Sequence, residues 1–361
     1  MTKVITSYKL NFSRIVLIFA IAIFVLAVAA FVGKRFGIIL VIGICFGLVL
    51  EGFRFGFAGP WRAWITKREP AGIIAHFIAI GLASFVAIPL IFNSTGEIVG
   101  AYAPFGMPMM LGAFLFGASM QLVKGCGSGT LVNAGSGNLI AIVVLPFFIL
   151  GSFLGSYNID WWTQIGTIPP IALSEKLGPL GAVFLTLTIL TLLSIIIITQ
   201  TPKGTQLFCC RLSGAAILIG GLFLATLVVS GQPWGVVYGL GLWGGKITQS
   251  FGIDITDSLF WSSKSNLERL KHSLLTDITS LTNIGLILGS IIISLWRCNL
   301  RSRMPSLPFK LWCISIIAGF MLGYSARLAF GCNVGAFFSG IATGSVHGWV
   351  WFFTALLGCR L

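Results

Sequence analysis

Two short stretches carry the residues best suited to chemistry, "GCGSGT" at 125–130 and "GCNVGAFFSG" at 331–340. Each sets one cysteine, Cys126 or Cys332, among glycines inside otherwise apolar sequence. A thiol is a weak S–H donor with a soft, polarisable sulfur, so it suits a ligand that is itself soft. Hydroxyls and amides stand nearby: Ser128, Thr130, Asn133 and Asn138 in one stretch, Asn333, Ser339 and Thr343 in the other, with no Asp or Glu. Gly125, Gly129, Gly331 and Gly335 let backbone N–H groups approach a bound group closely. Lys124 and Arg327 stand at the two mouths. A donor-rich, mildly cationic site without carboxylates fits a small anion. His347, in "SVHGWVWFF", is a further candidate to orient a ligand or relay a proton.

Other chemistries find little support. The eight cysteines lack zinc-site or disulfide-framework spacing. Cys45, Cys313 and Cys359 sit in apolar runs as small hydrophobes, Cys298 follows Arg297 at a helix end, and Cys209 and Cys210 are adjacent. Gly239, Gly241 and Gly244 spell GxGxxG, but no strand precedes them. No Walker, HExxH or GxSxG pattern occurs, so no metal, cofactor or catalytic residue is expected and the chain does not read as an enzyme. Glu51 and Arg54, three apart on one helix, are expected to pair.

What holds the two thiol stretches is membrane-embedded helix. Of 361 residues 57% are hydrophobic and only 9% charged, with a mean hydropathy of +0.99; a soluble domain carries about 25% charged residues. Apolar runs near 15–32, 36–52, 72–93, 107–124, 138–157, 178–199, 212–230, 281–297, 311–328 and 345–360 give about 9–10 spans of the ~20 residues that a bilayer requires. With a cytoplasmic N-terminus, most of the 23 Lys/Arg fall inside, among them Arg14, Arg54, Lys67, Arg68, Arg297, Arg301 and Arg303. The net charge of +14 then reports topology, and no nucleic-acid partner is expected.

The chain also repeats itself. With Cys126 set against Cys332, Gly117 meets Gly323, Ser119 meets Ser325, Gly125 meets Gly331 and Gly129 meets Gly335; after one inserted residue, 136–138 meets 343–345. A weaker Gly-Pro-Trp pair lies at 59–61 and 231–234. Alternating spans place the two copies on opposite faces, which is an inverted-topology repeat, with halves near 36–158 and 212–361. Glycine-rich backbone at membrane depth must be enclosed by protein or line a path, so both thiol stretches read as re-entrant segments. The connection 247–280 reads as a polar excursion with a short helix around 264–275, and Trp161 and Trp162 read as interfacial anchors.

At "KGCGSGTL", "SGQPWGVVYGLGLWGGKI" and "GCNVGAFFSGIATGSVHGWVWFF" the sequence resembles the YeeE/YedE sulphur-transport family of prokaryotic inner-membrane proteins, over roughly 36–361. The resemblance implies an all-α, polytopic, hourglass-like fold with short loops dipping in from both faces, forming one transport domain over 1–361. It implies thiosulfate import, with Cys126 and Cys332 among the thiols that pass the ion along by hydrogen bonds to its sulfur. The register of a further family cysteine falls on Gly56, leaving that relay one thiol short. Other sulfur or selenium anions are alternative substrates, and a cytoplasmic sulfurtransferase-type protein is an expected partner. The competing readings are a membrane thiol enzyme working through persulfides and a subunit serving another transporter.

Overall fold

The computed structural model describes residues 2–297 and 308–361; Cys298, Arg301 and Arg303 lie outside the described residues. Apolar runs uninterrupted by turn residues satisfy their backbone groups as helix, because lipid offers no hydrogen bonds. In chain order the helices are α1 (Thr2–Phe31), α2 (Lys34–Gly52), α3 (Ala58–Lys67), α4 (Ala71–Asn93), α5 (Met107–Val123), α6 (Gly127–Gly135), α7 (Leu139–Tyr157), α8 (Ile159–Thr163) and α9 (Leu173–Thr199). The second part continues with α10 (Cys210–Ser230), α11 (Val237–Ser250), α12 (Leu259–Ser262), α13 (Lys264–Lys271), α14 (Ile278–Trp296), α15 (Phe309–Leu328), α16 (Ser339–Ala342) and α17 (Val346–Gly358). Among the described residues, nine helical stretches are long and apolar enough to cross a membrane, and α17 is a shorter apolar helix. The protein is an all-α, multi-pass membrane protein. The sheet content of the described residues is one two-residue antiparallel ladder, Phe105–Gly106 with Thr167–Ile168. In α9, Gly178 (φ 69) ahead of Pro179 breaks the helix, at the residue where its apolar run begins.

Close helix crossings occur in matched pairs. A Cβ at Gly117 of α5 would strike the carbonyl of Ala355 in α17 and lie 3.1 Å from the amide of Cys359. A Cβ at Gly323 of α15 would strike the carbonyl of Phe148 in α7 and lie 2.7 Å from the amide of Ser152. Gly151 against Phe320, and Gly358 against Phe114, form a second matched pair. The same correspondence links α2 and α14, where Gly47 packs on Leu286 and Gly289, to α10 and α4, where Gly220 packs on Ala79 and Leu82. The repeating elements are therefore α2–α7 and α10, α11 and α14–α17. Residues 251–277, which carry α12 and α13, have no counterpart in the first half.

The repeat is inverted in the packing as well as the sequence. The start of α2 meets the end of α10, where Arg35 donates to the carbonyls of Val229 (2.8 Å) and Ser230 (2.6 Å). The chain then doubles back. Trp234 stacks on Phe46 at 3.9 Å and 12°, three turns further along α2, or about 16 Å at 1.5 Å per residue. The Gly-Pro-Trp segment of the second half is thus re-entrant.

The residue inserted in the second half also has a structural outcome. The first half runs Cys126 into a regular α6, whereas Asn333–Phe338 forms a π-helical turn before α16. A π turn is how a helix absorbs one extra residue.

Candidate functional site: a paired thiol turn between two re-entrant segments

Both cysteines are held by one backbone path used twice. α5 ends at Lys124 in the left-handed region (φ 58), and Cys126 follows with φ −91, ψ −167 as the cap of α6. α15 gives way to Phe330 (φ 56), Gly331 (φ 155) and then Cys332 with φ −96, ψ −167. The Cys126 thiol accepts from the Gly129 amide (3.4 Å) and shares a 3.4 Å contact with the Ser128 hydroxyl. Its carbonyl takes both the amide and the hydroxyl of Thr130, each at 2.8 Å. Gly331 gives its carbonyl to the Trp351 indole N–H at 3.2 Å.

The two turns meet. A Cβ on Gly127 would lie 2.9 Å from the Cys332 Sγ and 3.5 Å from the Val236 side chain, so glycine is what fits against the opposite thiol. Cys126 and Cys332 are 1% and 0% exposed, so both thiols are buried where the turns meet. Phe46, Phe57, Trp234 and Phe338 form one contiguous aromatic set within the same buried cluster.

A cleft of about 350 Å³ opens beside the first thiol turn. Arg54, Gly56, Lys124, Gly125, Ser128, Gly129, Asn133 and Ser136 line it, and it stops at the residues flanking Cys126. Arg54 (φ 52) and Lys124 (φ 58) both hold a left-handed backbone that L residues adopt at a cost of about 1–3 kcal/mol. Both side chains are exposed. Glu51, the carboxylate in the lining, pairs with Arg297 at the end of α14 at 3.3 Å rather than with Arg54, which leaves the cleft cationic. At Gly56 an added Cβ would find nothing within 4 Å, and the Gly56 carbonyl meets Nε2 of His76 at 3.2 Å. His76 stacks on Phe57 at 4.7 Å and fixes this loop.

In the second thiol turn, Gly335 also has open space where a side chain would go. The Arg327 guanidinium lies over the rings of Phe260 (4.9 Å) and Tyr238 (5.7 Å), so residues of the 251–277 excursion roof it. Asn333 is fully buried, and neither end of its amide meets a hydrogen-bond partner. His347 is placed differently from the rest. Its Nδ1 meets the Ser345 hydroxyl at 2.7 Å and its ring packs on Gly340, away from the cleft lining. The structure therefore places Lys124, Gly125 and Gly129 in the lining of one cleft, buries Cys126 and Cys332 where the two turns meet, and sets Arg327 under Phe260 and Tyr238. The glycines spelling GxGxxG are helix-contact positions of α11, against Asn283, Ser152 and Phe153. The stack of Trp234 on Phe46 and the hold of His76 on Gly56 had no signal in spacing, because each joins a helix residue to a non-helical segment elsewhere in the chain.

The sulphur transport family profile matches residues 53–361. The chain belongs to the sulphur transport family. Along 86% of its length it is 25% identical to the thiosulfate transporter TsuA of Spirochaeta thermophila, covering 93% of that protein. It is also 32% identical to "Probable transporter YedE" of Escherichia coli over 40% of its length, a match that spans 35% of that relative. The family and these relatives are named as transporters, not enzymes. The family match begins at Phe53, one residue past the end of α2, so it takes in both thiol turns and leaves out α1 and α2.

Proposed function

We propose that this protein is an inner-membrane permease importing a small sulfur-containing anion, thiosulfate first, through a single transport domain over 1–361. The observation that carries the reading is the closed pair of thiols at the meeting of two re-entrant turns, approached through a cationic cleft. Arg327 on the far side, and Lys124 with Arg54 on the near side, draw the anion in. The thiols donate their S–H groups to its terminal sulfur. Gly125, Gly129, Gly331 and Gly335 let backbone N–H groups reach its oxygens. His347 has the supporting role of holding α16 against α17. The cleft opens at the end of the bundle that carries Arg14 and Arg297, which the Lys/Arg distribution assigns to the cytoplasm together with the N-terminus. A cytoplasmic sulfurtransferase-type partner would consume the ion as it emerges.

The test is uptake of labelled thiosulfate by cells whose own importers are deleted. The wild-type chain should restore uptake, and Cys126→Ala with Cys332→Ala should reduce it at least tenfold at equal protein level. Unchanged uptake in that double variant would refute the thiol mechanism. Competition by sulfate, sulfite and selenite then defines the substrate class.

A further inference from the structure

Asn333 directly follows Cys332 and is fully buried, with both Nδ2 and Oδ1 unpaired within the protein. A buried amide in that state bears the full desolvation of two polar groups, which an apolar residue of similar size would avoid. Its neighbours Val334, Ala336, Phe337 and Phe338 are apolar and buried. The other copy of the turn provides an internal control. There Gly127 holds the same register, after a cysteine in the same backbone conformation, and presses on the opposite thiol. The repeat thus sets Asn333, next to Cys332, in the register of Gly127. One half follows its cysteine with bare backbone, and the other follows it with a donor and an acceptor.

We propose that Asn333 is a specificity-determining residue of the constriction, its Nδ2 donating to an oxygen of a sulfur oxyanion whose terminal sulfur faces the thiols. This rests on the transport reading above. The side chain gives the constriction a polarity: the soft end of the ion is read by cysteine and the hard end by the amide. An anion with a soft sulfur but no oxygens, such as thiocyanate, gains nothing from it.

The test uses the full chain in liposomes, with initial rates of labelled thiosulfate uptake measured across concentration. Asn333→Ala should raise half-saturation at least tenfold while the maximal rate stays within about threefold. Asn333→Asp, of the same shape but with the donor replaced by an anionic oxygen, should lose saturable uptake. Thiocyanate should compete for the wild type and Asn333→Ala equally well. Thermal unfolding without substrate should leave Asn333→Ala at least as stable as the wild type, whereas a purely structural amide predicts lower stability and an unchanged half-saturation. Wild-type half-saturation in Asn333→Ala and Asn333→Asp, or that structural pattern, overturns the proposal alone. A wild type that takes up no thiosulfate overturns the transport reading and this proposal with it.

Discussion

At the scale of single residues, the thiol turns pose a steric problem with a measurable answer. A methyl at Gly127 meets the Cys332 sulfur at 2.9 Å, whereas one at Gly335 meets nothing within 4 Å. On the transport reading, Gly127→Ala should cut uptake at least tenfold and Gly335→Ala should stay within about twofold, both at normal protein level. Gly56 offers a second residue-scale test, since it lines the cleft and has room for a side chain. In a chain whose native cysteines are replaced, Gly56→Cys should react with a membrane-impermeant maleimide from the cleft side, and a cysteine restored at 126 should react far more slowly. Equal rates would mean that the constriction is not closed. The paired thiols were readable in the sequence because a cysteine between glycines recurs in one register. The partner of Glu51 was not. Arg54 is nearest along the chain but lies past the end of α2, and Arg297, just past the end of α14, also donates to the Glu51 carbonyl at 3.0 Å.

At the scale of elements, stability rests on glycine-lined crossings, because lipid-embedded helices gain little from burying apolar surface against one another. Gly289 brings α14 so close to α2 that an added Cβ would sit 2.8 Å from the Leu48 amide, while Gly221 is exposed with open space beside it. Gly289→Leu should lower the unfolding temperature in detergent by several degrees, and Gly221→Leu should leave it unchanged; overpacking costs about 1–3 kcal/mol or more. Equal melting of the two variants would remove the crossing from the account. Helix existence and most span positions were legible from hydropathy. The π turn at 333–338 was not, although the single inserted residue marked its place. A linear sequence shows that one residue is extra, and only packing against α6 and α17 decides how the backbone takes it up.

At the scale of the molecule, the two halves share a plan and differ in their mouths, one an open cationic cleft and the other roofed by 251–277. Cations at the cleft act over the Debye length, about 10 Å at 0.1 M salt. Uptake into inside-out vesicles, where the cleft is the entrance, should therefore fall at low substrate as ionic strength rises, and less steeply in Lys124→Ala. The membrane potential opposes a dianion entering a negative interior by roughly 2.3 kcal/mol per charge per 100 mV, so an inside-negative potential imposed on liposomes should slow import. Insensitivity to potential would point to a coupled counter-charge. On the transport reading, because Cys126 and Cys332 share one backbone twist, an ion passed between the thiols would exchange one sulfur contact for another of nearly equal depth. A traveller that never drops into a deep well is never stranded, so such a chain is built for throughput and holds little cargo at any moment.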